Sequence, residues 1–328
     1  MNEHRKELRE FFNTTLQLIV PVLVVVFFIA IIIVGSANPH SYASSLMQKE
    51  KLLHDTSSPR LIILGGSGAA SSIDSTTLEK TLDLNPVNMG LFAGVGMRFI
   101  INEAKNEIRK GDVILLAPEY EMLQQPSYGD GSYLLQTLYA NPSKIISVVT
   151  PHGLIVMLRA FPSILQWQGG YIVHTIQNYF LPKELVLSER LYTLEHVTKY
   201  GDLDTTSAGD AHLSTAQIVK EGNGFVRSHI DPKNLSLIIN LFTETKQKGA
   251  RAFIVLPAVP ESVKENNMPA ISAQYETLVS ALGTENVIGT PGYFVLPDNQ
   301  FLDSLGHLTA TGKAERTKLI LFPLAKQL

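Results

Sequence analysis

The chain has 328 residues, a formal net charge of −3, 45% hydrophobic residues and no cysteine. Charge this close to balance excludes the broad basic surface that nucleic-acid binding requires. The missing cysteines exclude a disulfide framework and a thiolate nucleophile, and such a chain suits an oxidising compartment without requiring one.

Leu18 to Val34 is apolar throughout. A helix of that length nearly crosses a hydrocarbon core of about 30 Å, so residues 16–35 are expected to form a transmembrane anchor. Pro21 falls in its first turn, where a missing N–H is tolerated. Arg5, Lys6 and Arg9 precede the run, and the next basic residue is Lys49. Positive flanks stay cytoplasmic, so residues 1–15 are expected on the cytoplasmic side of the membrane and the main domain on the other side. A cleaved signal peptide is the rival reading, with Gly35-Ser36-Ala37 as the cleavage site, but the run exceeds the usual signal core. Residues 36–58 read as a polar tether, and 59–328 as the domain.

Within the domain, Leu61-Ile62-Ile63-Leu64 is a short apolar run ending in Gly65-Gly66-Ser67, the pattern of a buried strand with a tight turn at its carboxyl end. A helix follows over 75–82, a second short strand over 86–90, a helix over 98–109 and a third strand over 113–117. From about 125 to 230 the alternation is lost, and the segment reads as a mostly helical insertion. Its apolar stretch 145–165 is interrupted by His152, Arg159 and Pro162, which favours packing on the domain or the membrane surface over a second span. Alternation then resumes with a helix over 234–248, a strand over 252–256, a helix over 275–282, a strand over 286–288 and a final helix capped by Thr309 or Thr311. Strands spaced by helices imply an α/β fold with a mostly parallel sheet.

Sites in open parallel sheets form beyond the carboxyl ends of the strands. Those ends carry Ser67, the Asn88/Gly90 pair and Glu119-Tyr120-Glu121, and a late loop adds Asp303 and His307. Serine becomes a nucleophile when a histidine takes its proton and a carboxylate orients that histidine. Ser67, His307 and Asp303 fit those roles, with N–H groups of Ser67 and Gly90 facing an oxyanion. Blander roles compete: Ser67 as a helix cap, His307 and Asp303 as ordinary loop residues. Asp210 and His212 form a rival pair without a strand before them. Glu119 and Glu121 are candidates for an acid/base pair or for exposed loop residues. Arg98 is placed either to meet a substrate carboxylate or on a plain helix surface. No His spacing suits a metal, and the glycines from Gly90 to Gly96 lack dinucleotide or P-loop order, so neither metal nor cofactor is expected.

Gly65-Gly66-Ser67, Asn88-Met89-Gly90 and Asp303-Ser304-Leu305-Gly306-His307-Leu308 together resemble the blocks of the SGNH (GDSL-like) hydrolase superfamily. The match covers about 60–125 and 232–328. In style it resembles membrane-anchored members that modify bacterial envelope polymers, such as alginate O-acetylation proteins and the D-alanine transfer protein of teichoic acids. The resemblance implies a flavodoxin-like, three-layer α/β/α domain and a serine nucleophile. It also implies an O-acyl esterase or acyltransferase acting on an exported polysaccharide or envelope glycan, alongside other polysaccharide-assembly proteins. The chain departs from the family at three points. Gly66 stands where an aspartate is usual, Glu119 lies in the block that usually supplies an oxyanion-hole asparagine, and four positions rather than three separate Asp303 from His307. A catalytically silent scaffold or glycan-binding protein of the same fold is the alternative.

Overall fold

The computed structural model describes residues 14–17, 19–21, 40–144, 150–180 and 191–328. The chain divides into two compact units, Met1–Asn38 with Phe161–Glu184, and Pro39–Ala160 with Leu185–Leu328. Most of the expected anchor lies outside the described residues. Among those described, no helix is long and apolar enough to cross a membrane.

The larger unit opens with α1 (Ser45–Asp55), where a polar tether is expected. The sequence disguises this helix, because a lysine falls on its buried face: Leu46 and Leu53 are buried with the preceding Tyr42, and so is Lys49. Strand β1 (Arg60–Leu64) is buried along its whole length, as a strand covered on both faces must be. It leads through α2 (Ser67–Ser72) and α3 (Ser75–Thr81) into β2 (Asn85–Asn88). Helix α4 (Met97–Lys105) and β3 (Val113–Leu116) follow. The chain then forms α5 (Tyr120–Gln124) and α6 (Gly131–Ala140) and enters α7 (Pro151–Phe180).

After α8 (Thr215–Gly222), α9 (Pro232–Gln247) restores the alternation. Its N-cap Asp231 accepts from the N–H groups of Lys233 and Asn234, and Pro232 occupies its first position. Then come β4 (Arg251–Val255), β5 (Val259–Pro260), α10 (Lys264–Leu282), β6 (Val287–Ile288), β7 (Val295–Leu296) and α11 (Ala310–Gln327). Helix α10 begins eleven residues before the expected 275, because Pro269 sits within it rather than ending it.

Five strands pair in parallel in the order β2-β1-β3-β4-β6, with β5 and β7 as a separate parallel pair. The domain is therefore α/β. The helices pack in two groups, α4, α9 and α10 in one, α2, α3 and α11 in the other. Right-handed crossovers running opposite ways from β1 put such groups on opposite faces. The direction reverses between β1 and β3, and sheets of this kind leave a crevice outside the strand ends at such a point.

The smaller unit contains the second part of α7. There Phe161, Val173, Ile176, Tyr179 and Phe180 are exposed, and so are Leu16, Ile19 and Val20 of the N-terminal segment.

Candidate active site

Ser67 stands at the first position of α2, three residues beyond the carboxyl end of β1. The turn that delivers it requires close backbone approach. A Cβ on Gly65 would lie 2.2 Å from the carbonyl oxygen of Ala117, at the end of the neighbouring β3, so only glycine fits there. As the first helical residue, Ser67 has an N–H without an intrahelical acceptor.

His307 reaches Ser67 from the loop before α11. Its Nε2 lies 2.8 Å from the Ser67 Oγ, and its Nδ1 lies 2.7 Å from the Asp303 Oδ1. The loop absorbs the extra residue between Asp303 and His307 by closing on itself. The Leu302 N–H donates to the His307 carbonyl at 2.9 Å, and Phe301 pairs with Leu308 across the stem. Asp303 and His307 thus emerge side by side. The Ser72 hydroxyl donates to the Gly306 carbonyl at 3.0 Å, tying this loop to the serine helix. Burial pushes the Asp303 carboxyl up, but hydrogen bonds from His307 and Tyr192 more than offset it, and the group stays below its ordinary range.

Tyr192 is a member of the site that the sequence does not announce. Its hydroxyl lies 2.9 Å and 3.1 Å from the two Asp303 oxygens and 2.6 Å from the His307 Nδ1. With Nδ1–H donating to Asp303, the phenol donates to the same carboxylate and fixes it from a second direction. Burial, followed by the charge of Asp303, pushes the Tyr192 hydroxyl well above the usual tyrosine range, so it remains a donor.

Glu119 also belongs to the site, in an arrangement unlike the expected one. The segment from Glu119 turns into α5 rather than continuing as a strand, and Glu119 is its N-cap. Its two oxygens accept from the N–H groups of Gly66 at 3.0 Å and Gly68 at 2.5 Å, on either side of Ser67. A Cβ on Gly66 would come within 2.4 Å of both oxygens, so this carboxylate fills the space of any side chain at position 66. Burial raises the Glu119 carboxyl above its ordinary value, against the lowering effect of the Gly68 N–H, His307 and the Gly66 N–H.

Three expected members have other duties. The Gly90 N–H donates to the Asn88 Oδ1 at 2.9 Å and so is not free for an oxyanion. The Gly90 carbonyl accepts from the Tyr42 hydroxyl at 2.9 Å and the Lys49 ammonium at 2.5 Å, and Lys49 also donates to the Gly201 carbonyl at 2.6 Å. Burial pushes Lys49 down to about 7. The Asn88 amide donates to Ala69 and Asp202. These groups brace the back of the serine turn. Arg98 lies elsewhere, its guanidinium 5.0 Å above the Tyr128 ring. The rival Asp210/His212 pair is not a dyad, since the His212 Nδ1 meets the backbone carbonyl of Asp210.

Ser67 and His307 open into a pocket of about 570 Å³, walled by Phe92, Tyr133, Tyr192 and Phe225 among others and containing Glu119, Glu121, Glu221 and Arg316. Its size is that of ordinary small-molecule sites. Among the described residues, no cluster of His, Asp and Glu is arranged to hold a metal ion. No protein-family model matches this chain, and a search of curated proteins finds no match to it.

Proposed function

We propose that the domain is a serine-dependent acyl-transfer enzyme of SGNH-like type. In this reading it is held at a bacterial cell membrane by residues 16–35, faces away from the cytoplasm, and acts as an O-acyl esterase or acyltransferase on an envelope glycan. The observation that carries the reaction class is the unbroken hydrogen-bond chain from the Ser67 hydroxyl through both His307 nitrogens to the Asp303 carboxylate. The strand order β2-β1-β3-β4-β6 supports the flavodoxin-like part of the reading, since it is the order of that class with β6 as fifth strand.

The steps follow from the geometry. Ser67 attacks an acyl carbonyl while His307 accepts its proton at Nε2, and Asp303 stabilises the imidazolium. Collapse expels the leaving alcohol, which takes the proton back from His307 and leaves an ester on Ser67. Water as the second acceptor gives an esterase, and a sugar hydroxyl gives a transferase. The aromatic walls Phe92, Tyr133 and Phe225 provide apolar faces against which a sugar ring can lie. A second reading, a silent scaffold, is favoured by one observation: the Gly66 and Gly68 N–H groups beside the serine are already taken by Glu119.

Covalent labelling of the full chain in detergent with a serine-reactive fluorophosphonate, read by mass spectrometry, separates the two. The enzyme reading expects modification of Ser67 that disappears in Ser67→Ala and His307→Ala. A folded chain that takes no label leaves the scaffold. The same assay tests Tyr192 as a positioning residue. Tyr192→Phe is expected to slow labelling by about tenfold or more, the worth of one hydrogen bond to a charged group, with Ser67 still the modified site. An unchanged rate would remove Tyr192 from the machinery.

A further inference from the structure

Arg316 is the least satisfied cation in the pocket. It projects from α11, the helix that follows the histidine loop, and only 3% of its surface is exposed. A guanidinium has five N–H donors. One bond is found, from an Nη2 to the Leu256 carbonyl at 3.3 Å, and the buried Nε has no partner. Among the described residues no carboxylate lies within ion-pair distance of it. Glu119, the strongest negative influence on it, has both oxygens engaged with Gly66 and Gly68. Glu121 and Glu221, the other carboxylates of the pocket, are exposed to solvent and screened accordingly.

A buried charge without a partner is strongly unfavourable, and desolvation pushes Arg316 down to about 10, where it still holds its proton at neutral pH. The planar fork of an arginine is matched by a carboxylate, which it grips through two parallel bonds. Arg316 lies on the wall of the same pocket that holds Ser67 and His307.

We propose that Arg316 is the anion-recognition group of this pocket and that the ligand it takes carries a carboxylate. The proposal rests on the acyl-transfer reading for its biological sense, though not for its test. The carboxylate has two possible sources, the sugar, as in a uronic acid, or the acyl group, as in the half-ester of a dicarboxylic acid.

Binding reads this without catalysis. The full chain carrying Ser67→Ala, in detergent, is titrated calorimetrically with glucuronate against glucose, and with monomethyl succinate against methyl butyrate. One charged probe is expected to bind at least about tenfold more tightly than its neutral counterpart, the worth of a charge-assisted contact, and the winning pair identifies the source. Arg316→Gln is expected to abolish that preference and Arg316→Lys to retain part of it. Equal affinity within both pairs overturns the proposal, as does a preference that survives Arg316→Gln. If Arg316→Gln does not fold, the comparison of charged and neutral probes in the Ser67→Ala chain decides alone. Failure of fluorophosphonate labelling together with selective carboxylate binding would sink the enzyme reading and leave this one standing.

Discussion

Glu119→Gln is expected to remove an alkaline loss of activity and to raise ester turnover at high pH by on the order of tenfold or more. The carboxylate grips the N–H groups of Gly66 and Gly68 on either side of the nucleophile. When ionised it opposes the negative charge that develops on a carbonyl attacked by Ser67. When protonated it is neutral and can donate a hydrogen bond. Burial raises its pKa, so the inhibitory charge appears as pH climbs through that raised value, and glutamine never acquires it. The rate of 4-nitrophenyl acetate hydrolysis against pH, measured for both chains, checks this. Matching profiles would mean that Glu119 stands clear of the oxyanion. Stability follows the same sign. A group whose pKa is raised on folding contributes fully below its unfolded value and loses that contribution as pH rises through the folded one. The variant should therefore gain on the parent chain toward alkaline pH.

Asp112→Ala is expected to lower the unfolding free energy by about 3–5 kcal/mol, the cost of stranding a buried charge. Asp112 and Arg60 are both fully withdrawn from water and joined at 2.5 Å. Arg60 opens β1, and Asp112 precedes β3, its partner strand. The guanidinium also donates to the carbonyls of Leu53, in α1, and Glu107, so the pair fastens α1 to the sheet. Burial pushes the Asp112 carboxyl up, but hydrogen bonds from Arg60, the Arg109 backbone and Ser58 reverse the balance and hold it below 3.8. Its contribution is therefore present above that value and lost as pH falls through the lower folded one. Thermal and denaturant unfolding of the full chain in detergent, at neutral pH and near pH 3, measure both effects. A loss of under about 1 kcal/mol at neutral pH would contradict the buried-pair account.

The strands of the sheet were readable because a parallel strand covered on both faces must be apolar at consecutive positions, and 61–64 and 113–116 are. Ser67, His307 and Asp303 were readable as candidates because they occupy a strand end and a pre-helix loop, where side chains converge. Helix α1 was not, since its buried Lys49 and exposed Met47 invert the usual pattern. Tyr192 and Arg316 carry no local signature at all: one lies within the insertion, the other inside a helix, and only the packed structure brings them to the pocket. Gly90 differs from its expected role for another reason. Its position after β2 is right, but the adjacent Asn88 side chain captures its N–H, and a sequence does not show that competition.

The crowding of Gly66 against Glu119 constrains how this chain can change. A Cβ at position 66 would meet both Glu119 oxygens at 2.4 Å and the Cα of Ala93 at 2.7 Å. A carboxylate at the end of a flexible side chain can swing aside, whereas backbone cannot, so clearing position 119 alone does not open position 66 to a side chain. A lineage that replaces Gly66 must also move the backbone at Ala93, and a library that randomises 66 and 119 while that backbone stays in place is expected to return glycine at 66.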